Sequence, residues 1–122
     1  MPEQPRDLVE RTFRFATEVR RLVNRLPKLR SDYGDSHQVV RSSGSVAANY
    51  IESQEGLSRK DFFYRIKVCR KEARESGLWL RLVDIAGDAM LALERDRLAA
   101  EADELKRIFS AIAGKDDTIG SL

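Results

Sequence analysis

Sulfur and imidazole are scarce in this chain of 122 residues. It carries one cysteine, Cys69, and one histidine, His37. A lone cysteine excludes an internal disulfide. With no CxxC pair and no second histidine, a structural zinc site has no ligand set. No apolar run approaches the roughly 20 residues that span a bilayer. The opening "MPEQPRDLVE" has no apolar core of a secretory signal. Neither sign of charge dominates, with 22 basic and 20 acidic groups and a net charge of +2. That excess is too small to identify a nucleic-acid partner by itself, so only the placement of charge can inform. There is no low-complexity segment and no internal repeat. These absences describe one soluble, cytoplasmic domain with no membrane segment.

What is present is helical periodicity. Apolar residues make up 42% of the chain and recur at a 3.6-residue period in four segments. The first runs from about 6 to 26, with Leu8, Phe15, Val19, Leu22, Val23 and Leu26 on one stripe, and Pro27 stops it. The third runs from about 59 to 86. Ser58 is placed to cap it, and Phe62, Ile66, Cys69, Ala73, Leu80 and Val83 line one face. Gly87 can end it, and Asp88 can begin a fourth helix over 88–113. Leu91, Leu98, Ala102, Leu105, Phe109 and Ile112 form that helix's stripe. The tail 114–122 reads as frayed. No strand signal appears. Short connections between long helices predict an all-α, antiparallel up-down four-helix bundle.

The second segment, about 35–54, contains "RSSGSVAANYIES", which is rich in residues typical of loops. On a helical wheel it nevertheless divides into two faces. Val39, Val40, Ser43, Val46, Ala47, Tyr50 and Ile51 gather on one, and Arg41, Ser45, Ala48, Asn49 and Glu52 on the other. A helix fits this pattern, with small side chains that allow close approach of a neighbour. The polar face is either solvated or hydrogen-bonded to another helix or subunit.

No catalytic set emerges. Glu72 and Glu75 lack the histidine of a Glu-x-x-His di-iron pair and flank the apolar stripe. Cys69 lies within the stripe, and "SSGSVAAN" lacks the lysine of a phosphate loop. No enzyme and no cofactor are expected. Charge is more telling. Residues 1–34 hold eight basic and five acidic groups, and residues 59–87 hold eight and four. The other segments are net acidic. Arg11, Arg14, Arg21, Arg25 and Lys28 fall opposite the first apolar stripe. Lys60, Lys67, Arg70, Lys71 and Arg74 fall opposite the third. Such faces suit RNA or DNA phosphates bound through counterion release, with little sequence specificity. Trp79 and Leu82 widen the apolar surface of the third helix, either as extra core contact or as a subunit interface.

Three blocks carry a family resemblance: "RTFRFATEVRRLVNRLPK", "RSSGSVAANYIES" and "SRKDFFYRIKVCRKEARESGLWLRL". Within them the most specific residues are Arg41, Ser42, Ser45, Val46, Asn49, Tyr50 and Glu52, then Ser58, Asp61, Phe62, Lys71, Glu72, Ala73, Glu75, Trp79 and Leu80. The chain resembles, over roughly Asp7 to Ala86, the bacterial four-helix-bundle proteins first noticed in intervening sequences of large-subunit ribosomal RNA genes. A related branch is the accessory variability protein of diversity-generating retroelements. Ser53 and Ala47 depart from the family pattern, where Ala or Gly, and Gly or Pro, are usual. The resemblance implies a non-catalytic bundle assembled into a homo-oligomeric ring, typically a homopentamer. It also implies suspected nucleic-acid or reverse-transcriptase partners. A protein-to-protein adaptor without direct nucleic-acid contact is the alternative.

Overall fold

The computed structural model describes residues 4–28 and 33–120, with side chains described for 8–28 and 34–116. Four helices make up the described residues, and no strand occurs among them. They are α1 (Gln4–Arg25), α2 (Tyr33–Ser53), α3 (Arg59–Leu82) and α4 (Ala89–Gly120). Each packs against the next, and α4 returns to α1 along the thinnest of the four seams. The order around the bundle is therefore α1, α2, α3, α4, which puts α1 and α3 on opposite corners. An all-α up-down bundle is the result.

The core is where the stripes meet. Phe15, Val19 and Leu22 of α1, Val39 and Val46 of α2, Ile66, Cys69 and Leu80 of α3, and Leu98, Leu105 and Phe109 of α4 are fully buried. Across the diagonal, the Tyr50 and Phe109 rings meet with centroids 6.0 Å apart. Val23, Val40, Ala47 and Ile112 of the expected stripes are only half-buried, and at two further positions the adjacent residue takes the inward place. Phe63 is buried and Phe62 only partly, the two rings packing edge to face at 5.1 Å. Ile51, expected inside, is exposed, because Tyr50 beside it takes the inward place.

Helix ends also differ from the periodic reading. α3 stops at Leu82, before Gly87 is reached. Val83 is extended (φ −63°, ψ 147°) while its N–H still bonds the Trp79 carbonyl at 3.1 Å. The Asp84 carboxylate then accepts from the Ala86 N–H at 2.7 Å, and Ala86 and Gly87 both take positive φ. Asp88 caps α4 by accepting from the N–H groups of Met90 and Leu91. At the other end, α4 continues through Gly120 rather than stopping near Gly114. An ion pair between Lys67 and Asp116 at 2.9 Å ties the added turn to α3.

Gly44 corrects a further expectation. A side chain there would not meet a helix backbone. It would meet the guanidinium of Arg20, 2.9 Å away. Arg20 lies there because it donates to the carbonyls of Ala16 and Val40. Arg20 is exposed and long, so it can yield. Gly44→Ala is expected to raise stability by about 0.5 kcal/mol, half or less of the full helix-propensity gain being lost to Arg20's displacement. Urea denaturation reads it, and a lowered midpoint would show that Arg20 is fixed.

Candidate nucleic-acid interface

Helix α3 begins cleanly because Ser58 accepts from the Asp61 N–H at 2.9 Å, and Asp61 suits the positive end of the helix dipole. Its apolar side faces the bundle, and its flanks are covered by α2 and α4. What remains outward is a stripe spaced alternately four and three residues: Lys60, Tyr64, Lys67, Lys71, Arg74, Leu78 and Arg81. At 1.5 Å per residue it is about 32 Å long. Five of its seven members are cations, and none is acidic. Lys60, Arg74 and Arg81 are exposed and make no ion pair among the described residues. Lys67 is engaged by Asp116, and Lys71 lies 3.7 Å from both Glu72 and Glu75. Arg70 is half-buried at the α4 side.

Beside the stripe, α3 and α4 enclose a groove of about 380 Å3. Its small members are Ala73, Gly77 and Ala99. Its charged ones are Arg74, Arg81 and Lys106, against one acid, Asp103. Asp103 pairs with Lys106 at 3.2 Å and with Arg107 at 3.0 Å. Arg81 and Lys106 were missed by sequence reasoning. Arg81 simply continues the four-three spacing, whereas Lys106 is recognisable only once the register of α3 on α4 is known.

The basic residues of α1 do not join this surface, since α1 occupies the opposite corner. Arg11 is committed to α4, with both Nε and Nη2 on the Glu101 carboxylate at 2.7 and 2.9 Å. Nearby, Arg97 bridges Glu18 and Glu94, and its hydrogen bond holds the Glu94 carboxyl below its ordinary range. Arg14, Arg21 and Arg25 are exposed, and Lys28 lies beyond the helix end. The ten basic candidates thus form two separated groups.

The polar face of α2 lies against α3. Arg41 reaches Glu72 at 3.4 Å and Glu75 at 3.8 Å, the same acids that hold Lys71. The Glu72 carboxylate is buried, so these two cations compensate a charge removed from water. The hydroxyls of Ser42 and Ser76, both fully buried, bond at 2.7 Å. Asn49 donates to the Ser45 carbonyl and accepts from Arg65 at 3.0 Å. Hence Arg41, Ser45 and Asn49 serve a seam within one chain, while Glu52 is exposed. Trp79 packs half-buried on the core with no partner for its indole N–H among the described residues. Leu82 is 51% exposed.

Chemistry is sparse. Burial pushes the Cys69 thiol up to about 12, and it donates to the Val46 carbonyl, so it stays a neutral packing group. Among the described residues no group of three His, Cys, Asp or Glu side chains is placed to hold a metal. No described helix is long and apolar enough to cross a membrane.

Comparisons agree with this architecture. A solved structure from Bacteroides thetaiotaomicron, a protein of unknown function from the S23 ribosomal protein family, shares the fold. Its TM-score is 0.74 at 24% identity, covering 87% of this chain and 97% of that one. No curated protein sequence matches. The profile of the 23S rRNA-intervening sequence proteins matches residues 6–111, nearly the whole bundle, and the chain therefore belongs to that family.

Proposed function

We propose that this protein is a non-enzymatic helical scaffold that binds nucleic acid through the outer face of α3, with little sequence specificity. The observation that supports this reading is the stripe itself: five cations in seven positions along about 32 Å of one unbroken helix. Cations in such a row neutralise phosphates and release condensed counterions, which makes binding steeply salt-dependent. The stripe holds no Asn, Gln, Asp or Glu to pair with adenine or cytosine edges, and exposed cations in a row meet phosphates first, which fixes position without reading sequence. Three to five phosphate contacts predict an affinity loss of roughly 40- to 500-fold between about 50 and 200 mM salt. Gel shift or filter binding with RNA and DNA measures it. Absence of binding at the lower salt would overturn the reading.

The scaffold acts as an assembly of copies, in this proposal. Leu82, at the end of α3, and Met90 and Leu93, in the first turns of α4, are 51%, 68% and 67% exposed. Large apolar side chains left in water there suit a subunit contact. A ring of copies, a homopentamer in the family's pattern, would multiply the α3 stripe. Light scattering at micromolar concentration should give a multiple of 13.9 kDa, and a monomeric mass would exclude the assembly.

A further inference from the structure

We propose that the α3 face selects single-stranded over double-stranded nucleic acid, with a base stacked on Tyr64 and the phosphate chain led into the groove edged by Arg74, Arg81 and Lys106. This rests on the nucleic-acid reading above and adds the class of strand and the residue that distinguishes it. Three observations carry it.

The first is Tyr64. It is the single aromatic in the cationic stripe, and it is 60% exposed where a core helix has no use for it. The Arg65 guanidinium lies 5.8 Å from its ring centre, a contact that steadies the ring on one side. Aromatic faces among cations are how proteins hold unpaired bases, since every base offers a π-face.

The second is the burial of α3's flanks. A helix reads a duplex by entering the major groove, about 12 Å wide, as a protruding rod about 10–12 Å across. Here α2 and α4 cover both sides of α3, so it presents only a convex ridge. A duplex can touch that ridge only through a line of phosphates. A single strand can follow the ridge and turn its bases onto it.

The third is the groove. Its cations come from two helices, Arg74 and Arg81 from α3 and Lys106 from α4, around the small residues Ala73, Gly77 and Ala99. Helix axes in such a pair lie about 8–10 Å apart. The groove is thus a shallow channel over two touching helices, and its volume of about 380 Å3 has room for part of one sugar–phosphate chain and not for a duplex. Arg74 belongs to both stripe and groove, so the path from Tyr64 to Lys106 is continuous. Ten residues, about 15 Å, separate Tyr64 from Arg74 along α3.

The test is fluorescence anisotropy with a labelled single strand of about 20 nucleotides and its duplex of equal length, at low salt. The unmodified protein should bind the single strand more tightly. Tyr64→Leu should weaken single-strand binding by about 5- to 100-fold and leave duplex binding unchanged, while Tyr64→Phe retains it. Lys106→Glu should weaken the single strand more than the duplex. Tyr64 is exposed, so the variants keep their helix content, which circular dichroism verifies. If Tyr64→Leu leaves single-strand affinity intact, or lowers both ligands equally, the strand preference is overturned and charge-only binding stands. If the unmodified protein binds neither ligand, the nucleic-acid reading falls with it.

Discussion

Converting Lys60, Arg74 and Arg81 together to glutamate is expected to cut nucleic-acid affinity by at least about a hundredfold at roughly 0.1 M salt. Three lost phosphate contacts should also flatten the salt dependence by about two to three logarithmic units per decade. These three residues are chosen because each is exposed and makes no ion pair among the described residues. Reversing Lys71 instead would place a negative charge beside buried Glu72, and lost folding would then mimic lost binding. The matching control converts Arg14, Arg21 and Arg25 on the opposite corner. Both variants change net charge equally, so any difference reports the face. Equal losses would show that overall charge, and not α3, governs binding. An adaptor that recognises only a protein would show no salt-sensitive nucleic-acid binding at all.

Phe109→Ala should destabilise the bundle by about 3–5 kcal/mol, a large share of the stability of a domain this size. Phe109 is fully buried and meets Tyr50 across the diagonal of the bundle. Removing its ring leaves a void that α2 and α4 must both move to close, and each is held by its own neighbour. Urea denaturation by circular dichroism measures the loss. A cost below about 1 kcal/mol would mean that the centre of the bundle collapses freely and that the diagonal contact is incidental.

The four helices were legible because each long segment carries a 3.6-residue stripe, clearest in α1 and weaker in α2, where small polar residues interrupt it. Their ends were less so. The stop after Leu82 depends on Val83 turning extended and on the side-chain bonds of Asp84 and Asp88, none of which leaves an apolar pattern. Phe62 and Phe63 lie 100° apart on the wheel, so either fits a broad stripe, and packing against neighbouring helices chose Phe63. The α3 cations could be read directly, since charge opposite an apolar stripe points outward. Their separation from the α1 cations follows from the up-down topology itself: in a bundle with sequential packing, the first and third helices are diagonal. The wheel could not show that Glu72 would be buried, because its cover comes from Arg41 on another helix. Nor could it show Lys106 beside Arg74 and Arg81, which depends on the register of two helices.

Sequential packing has a kinetic consequence. Three of the four seams join helices that are neighbours in the chain, so most contacts form across short loops. Low average separation of contacting residues is associated with folding in microseconds to milliseconds. The seam between α1 and α4 alone requires the two ends of the chain to meet. It is also the thinnest, and the ion pairs Arg11 to Glu101 and Arg97 to Glu18 cross it. Hydrogen exchange should therefore find α1 opening before the α2/α3 pair, with its protection falling as salt screens those pairs.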